Sequence, residues 1–271
     1  MRIAVRHTTH YSFAGPVRHG LQRLRLMPKS SHGQKIISWD MALEGARIEA
    51  EYDDHNHNHT TLVSILPGTS QVSVTCTGVV DTSDNAGVLG LHVGHMPLWC
   101  FLNQTPLTRP GPKLRAFVAG LELDRKQPLA TLHRLSEAIH ATVAYETGRT
   151  DSSTTAEDAL GAARGVCQDH AHIFIGAARL LGIPARYVSG YLLMDDRVDQ
   201  DAGHAWAEAH VDGLGWVGFD VSNKICADDR YVRVATGCDY REAAPVTGMS
   251  VGGGQTDLSV QLAVEQQSCE Q

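Results

Sequence analysis

The stretch that begins at Cys167 constrains the fold more than any other part of the chain. After Cys167, the residues Ala171, Phe174, Ile175, Ala178 and Leu181 recur at helical intervals, so one face of a helix is apolar and must be buried. Gly182 and Pro184 stop that helix. Strand-like runs follow at 185–193, 204–211, 215–221, 231–235 and 258–264, with turn residues between them. Helices that precede a run of strands, without β-α-β alternation, predict an α+β fold rather than a doubly wound sheet.

The first 80 or so residues read differently. Val5, His7, Thr9, Tyr11 and Phe13 share one parity of a strand that ends at Gly15-Pro16. Further short strand patterns at 36–39, 46–52, 60–66 and 71–80 are separated by turn residues, which predicts an antiparallel β-domain. A Pro-rich stretch at 106–112 reads as a linker or surface loop. Residues 129–143 have helical spacing, with Leu132, Leu135, Ile139 and Val143 on one face. Thr154 and Glu157 read as a capping box that opens a short helix. The expected division is a β-domain at 1–95 and a second domain at 96–271 that carries the C-terminal strands.

The balance of 30 acidic and 23 basic residues, with no basic cluster, argues against nucleic acid or an anionic membrane as a partner. The N-terminal residues do not look like a signal peptide, and no apolar run reaches the roughly 18 residues of a membrane span. A cytoplasmic location is therefore expected. The cysteines at 76, 100, 167, 226, 238 and 269 are irregularly spaced and read as reduced thiols.

Cys167 differs from the others because it falls at the first turn of the apolar helix. A helix N-terminus and a partner imidazole both favour the thiolate, the form that attacks a carbonyl. The partner is sought downstream. His204, Trp206, Glu208 and His210 share one face of a strand, and Asp212-Gly213-Leu214-Gly215 turns the chain back antiparallel. That hairpin brings His204 within about two positions of Asp220 on the same face, close enough for the side chains to meet. An aspartate behind an imidazole fixes its tautomer and stabilises the imidazolium. Gly165 is expected to let the chain turn sharply into the helix.

Residues 164–172, Arg-Gly-Val-Cys-Gln-Asp-His-Ala-His, and 178–191, from Ala-Arg-Leu-Leu-Gly-Ile-Pro-Ala-Arg to Ser-Gly-Tyr, resemble the cysteine motif of the bacterial transglutaminase-like family. Residues 204–208 and 215–220 resemble its histidine and aspartate motifs, and residues 2–28 resemble the β-domain that precedes its catalytic core. The resemblance implies a papain-like core and acyl-enzyme chemistry on peptide or protein amides. It assigns the nucleophile to Cys167, the base to His204 and the orienting acid to Asp220. Val221 departs from the proline usual in the family, Cys238 from an arginine, and His170 from an aromatic residue. Peptide-ligase-like partner proteins are a further implication of the likeness.

His170 and His172 lie near Cys167, but their spacing fits no standard zinc pattern, and neither metal nor cofactor is expected. The run Asp53-Asp54-His55-Asn56-His57-Asn58-His59 is read as a polar turn before it is read as a metal site. Trp206, Trp216 and Tyr191 are candidates to line a cleft, or simply to pack. Glu208 and His210, on the parity of His204, are expected to keep the site wet and so favour hydrolysis over transfer to an amine. A catalytically idle core used for binding is the remaining alternative.

Overall fold

Burial alternates along Arg2–Phe13 as its parity predicts, with Val5, His7, Thr9 and Phe13 turned inward. In the computed structural model, which describes residues 1–124 and 126–267, this strand is central to a five-stranded antiparallel sheet. The order is Asp199–Gln200, Thr256–Gln266, Arg2–Phe13, Gln71–Thr82, Gln34–Glu44. A second antiparallel sheet runs Val246–Gly252, Val17–Leu24, His59–Ile65, Ala46–Asp53. Division by chain order at residue 95 groups 246–266 with the second half, whereas strand pairing puts both last strands into sheets built by the first 82 residues. Leu262 and Val264 bury their side chains there against Ile3, Val5 and Val80. Cys269 lies outside the described residues.

The third sheet holds Ile225–Cys226, Gly215–Asp220, His204–Val211, Ala185–Leu192 and Tyr231–Gly237 in that order, with Val88–Gly90 paired to Gly215–Asp220. The helix Cys167–Leu180 lies across His204–Val211. Ile173, Phe174, Ile175, Ala177 and Ala178 on that helix are fully buried, and Ala205, Ala207 and Ala209 from the strand join the same core. Burial of each large aliphatic or aromatic side chain contributes about 1.5–3 kcal/mol. Helices Pro112–Gly120, Pro128–Thr142 and Ala156–Ala162 enclose the other sides of this helix. Among the described residues, no helix is long and apolar enough to cross a membrane.

The capping expectation is corrected in its details. Thr155 rather than Thr154 caps Ala156–Ala162, accepting from the Asp158 amide at 3.2 Å. The Glu157 carboxylate caps a different helix, accepting from the Gly111, Lys113 and Leu114 amides at 2.9, 2.7 and 3.0 Å. Those amides open Pro112–Gly120, a helix hidden in the sequence behind the Pro-rich stretch at 106–112. Proline at a first helical position loses no hydrogen bond, so it starts this helix rather than excluding one.

Tyr231–Gly237 is the last strand of its sheet, yet every residue of it is buried. Its outer edge is satisfied by two side-chain amides from the β-domain. Gln34 accepts from the Arg233 amide at 2.7 Å and donates to the Arg233 carbonyl at 2.8 Å. Asn58 does the same for Thr236, at 2.8 and 2.7 Å. Each amide stands in for one residue of an absent neighbouring strand and ties the β-domain to the core.

Ala207→Leu is expected to destabilise the protein by about 1–3 kcal/mol, because the added side chain has nowhere to go between helix and strand. Urea unfolding should show a lower midpoint at unchanged slope.

Candidate active site

The first turn of the helix is set by a carboxylate below it. Asp169 is buried, and its Oδ2 accepts from the Val166 amide at 2.8 Å and the Thr150 hydroxyl at 2.7 Å. Burial raises the Asp169 carboxyl above the usual range, against the pull of those bonds. A Cβ on Gly165 would lie 2.7 Å from both Cβ and Oδ2 of Asp169. Gly165 is thus needed for close approach. It is not among the residues with positive φ, so the expected sharp turn is not its role. Residues Ala144–Tyr145 pair in parallel with Arg164–Gly165 just before the helix begins.

His204 opens its strand at the end of the sheet, where the helix starts. It is 8% exposed and donates from Nε2 to Asp220 Oδ2 at 2.5 Å, which leaves Nδ1 as the ring nitrogen that can take a proton from the neighbouring Cys167 thiol. The hairpin register pairs Val211 with Gly215 and Ala207 with Phe219, so His204 lies diagonally beyond Asp220. Burial works against a charged His204, but the bonds and negative charge of Asp220 and Cys167 outweigh it and push the imidazole up to about 10. Burial would also raise Asp220, yet its carboxyl is held below the usual range by His204, Tyr231 and Asn223. Tyr231 donates its hydroxyl to Oδ2 at 2.7 Å, and Asn223 donates its side-chain amide to Oδ2 at 2.7 Å and its backbone amide to Oδ1 at 3.2 Å. Cys167, His204 and Asp220, predicted as a unit, are therefore contiguous.

Three further residues of the site were not found by sequence reasoning. Tyr231 and Asn223 carry no periodic or motif signal that marks them as partners of Asp220. Tyr145 is 54% exposed, and partial desolvation together with the nearby Cys167 and Asp220 charges pushes its phenol up to about 12. Its link to the cysteine runs through a two-residue parallel bridge that no spacing rule exposes.

Beside Cys167 lies a cavity of about 310 Å³ between the catalytic core and the β-domain. Tyr187, Tyr191, Val234 and Tyr240 line it from the core, and Leu26, Val246, Leu258 and Val260 from the other side. Glu208 and His210 do not line it, which corrects the expectation that they keep the site wet. Glu208 is wholly buried and accepts from Arg186 Nε at 2.5 Å and Arg233 Nε at 2.6 Å. Burial favours its neutral form, but the two guanidinium groups hold its carboxyl at about 2. His210 sits edge-on to Trp216. Parity names the face correctly, but that face runs away from the cysteine and is covered by the β-domain.

Of the three aromatic candidates, Tyr191 lines the cavity. Trp206 stacks beside His204 with ring centres 6.2 Å apart, and Trp216 is buried beneath the Arg186 guanidinium at 3.9 Å. His170 bonds Ser222 at 2.8 Å and the Val143 carbonyl at 3.0 Å, and His172 accepts from the Tyr240 amide at 3.1 Å. His170 thus spends both ring nitrogens on protein groups, whereas His172 Nδ1 is buried without a hydrogen-bond partner among the described residues. The His/Asn-rich run forms a turn around Asp54, which accepts from the Asn56 and Asn58 amides at 2.9 and 3.0 Å.

This arrangement agrees with what the chain is similar to. Residues 115–221 match the transglutaminase-like superfamily core, and residues 3–81 match the bacterial transglutaminase-like N-terminal region. The chain belongs to the transglutaminase-like superfamily. An uncharacterized protein of Mycobacterium leprae is 26% identical, with 97% of this chain and 98% of that protein covered. One from Mycobacterium tuberculosis is 28% identical, covering 92% of this chain and 87% of that protein. The fold is shared with a candidate cysteine protease from Cytophaga hutchinsonii at a TM-score of 0.76 and 22% identity, covering 100% of this chain and 92% of that one.

Two outcomes follow from the geometry. Burial pushes the Cys76 and Cys238 thiols up to about 12 and raises Cys226, so mild iodoacetamide is expected to label Cys167 before any of them. Peptide mapping that finds Cys76 or Cys238 labelled first would contradict this. The imidazolium of His204 is raised, so whatever depends on it persists at lower pH and is lost as pH climbs through about 10. Asp220→Asn is expected to shift the alkaline limb of kcat/KM downward by about one unit or more, since a unit is only about 1.4 kcal/mol of lost charge stabilisation.

Proposed function

We propose that the protein is a thiol acyl-transfer enzyme acting on peptide or side-chain amides, with hydrolysis as its default outcome. The observation that carries this reading is the His204 ring held between the Cys167 thiol and the Asp220 carboxylate at the head of a buried helix. In the reaction, the Cys167 sulfur attacks the amide carbonyl carbon while its proton resides on His204. The tetrahedral oxyanion needs donors aimed at it. The first-turn amide of Cys167, which has no partner within the helix, supplies one. The Tyr145 hydroxyl, near the sulfur and neutral at ordinary pH, supplies a second.

Collapse of that intermediate breaks the C–N bond, and His204 returns its proton to the leaving amine. An acyl-thioester remains on Cys167. Water, deprotonated by His204, then attacks the thioester and releases the acid with the thiol restored. Asp220 stays ionised throughout and keeps the imidazole in the tautomer that faces the sulfur. A second reading, transfer to an amine, gains support from the cavity. Its walls include Leu26, Val234, Val246, Leu258 and Val260, which disfavour water more than the polar cleft expected from the strand parity.

Cys167→Ala and His204→Ala are each expected to abolish turnover, and Asp220→Asn to leave a residue of it. Tyr145→Phe should lower kcat by about 10²-fold or more with little change in KM, as for loss of an oxyanion donor. Unchanged turnover in Tyr145→Phe would remove that assignment without touching the thiol. The partition between free acid and amine adduct, measured with a glutamine peptide and millimolar labelled amine, separates the two readings. Predominant adduct would make the protein a transamidase.

A further inference from the structure

The cavity beside Cys167 has an electrostatic character at odds with the chain as a whole. The protein carries a formal charge of −7, yet no aspartate or glutamate lines this cavity. Its lining includes Arg25, His7 and the phenols of Tyr11, Tyr187, Tyr191 and Tyr240. His7 is kept neutral by burial, with its imidazole pushed down to about 4, and it is engaged by Tyr191 at 2.8 Å and Thr9 at 3.1 Å. Arg25 is the permanent cation on these walls.

Arg25 is also incompletely used. It is 3% exposed, and its Nε donates to Asp54 Oδ2 at 2.8 Å. Among the described residues neither Nη nitrogen has a hydrogen-bond partner, and Nη1 is wholly shielded from solvent. Asp54, which also accepts from the Asn56 amide and from both the backbone and side-chain amides of Asn58, balances the charge of Arg25 but engages only its Nε. Buried guanidinium N–H groups left without acceptors are costly, and they are the part of arginine that binds a carboxylate in a two-pronged fashion. The phenol hydroxyls of Tyr11, Tyr187 and Tyr240 likewise make no hydrogen bond to the described residues. Burial raises all three, so they remain donors at neutral pH. A lining that offers unpaired phenol and guanidinium donors and contains no carboxylate of its own fits an acceptor-rich group such as a carboxylate.

We propose that this cavity is the acyl-donor site, that it selects donors bearing a carboxylate close to the amide that is cleaved, and that Arg25 reads that carboxylate. The substrate class is therefore an acidic peptide amide, with a glutamate or aspartate side chain or a free terminal carboxylate on the acyl side. This rests on Cys167 being the nucleophile, and the test separates the two claims.

Matched peptide anilides carrying glutamate or glutamine at either of the two residues before the scissile bond are compared with the wild-type protein. The acidic member of a pair is expected to show kcat/KM about tenfold or more higher, the size of one charge-assisted bond. Arg25→Gln should erase the preference, with the acidic-to-neutral ratio of kcat/KM falling to about one. Arg25→Lys, which keeps charge but not the fork, should restore part of it. Because Arg25 also steadies the Asp54 turn, the wild-type protein supplies a second measurement. N-acetylglutamate is expected to protect Cys167 from iodoacetamide at constant ionic strength, and N-acetylglutamine to protect it several-fold less. Equal protection by the two, or equal kcat/KM for the paired peptides, overturns the carboxylate proposal even if turnover is normal. Selective protection without turnover of any anilide upholds it and counts instead against the acyl-transfer reading.

Discussion

A helix can lie closely against a strand only where the strand offers little more than a methyl group, and the alternation Ala205, Ala207, Ala209 does this. Everything at the site depends on that close approach. The helix lies over the alanine face, so its first residue overhangs the end of the strand, where His204 begins. The thiol and imidazole meet because the two elements end at the same place, not because they share a sheet face. Asp169 in the first turn and Asp220 beyond the imidazole then hold the helix start and the His204 ring from opposite sides. The chemistry sits at a seam between rigid elements, where small rotations of either would separate sulfur from nitrogen.

The second constraint is the join between the β-domain and the core. Gln34 and Asn58 reproduce, with single side chains, the hydrogen bonds a neighbouring strand would supply to Arg233 and Thr236. This explains how an end strand can be buried along its whole length without another strand beside it. It also places the inward face of Arg2–Phe13 opposite Cys167, so that His7, Thr9 and Tyr11 become walls of the cavity. The β-domain is thus part of the site rather than an appendage to it. The Asn-rich turn owes its composition to this task, since Asp54 organises the backbone that presents Asn58.

The sequence made some of this readable and hid the rest for identifiable reasons. The helix was legible because a fully buried face leaves a strong helical period. The contact of His204 with Asp220 was legible because a short turn leaves little freedom in hairpin register. Glu208 was misread because parity tells which face a side chain takes but not what lies on that face. Its two arginines come from the adjacent strand and the strand beyond it, whose alignment is set by tertiary pairing. Tyr145 and Arg25 were invisible as site residues for a related reason. Each comes near the cysteine or its cavity across a gap in sequence that no local rule bridges, one through a two-residue pairing and the other from the segment that follows Val17–Leu24. Glu157 shows the same limit on a smaller scale, because its position suits a local cap while its carboxylate serves a neighbouring helix.

The placement of Val246–Gly252 and Thr256–Gln266 in sheets begun by the first residues carries a consequence for the order of assembly. A chain emerging from the ribosome presents Cys167, His204 and Asp220 well before it presents Val246, Leu258 and Val260, which complete the cavity. Until those residues arrive, the first strand lacks its partner on one side and the reacting thiol has an open flank. The nascent protein therefore holds Cys167, His204 and Asp220 with an unfinished enclosure around them, and the walls of the cavity are the last part of the site to be made.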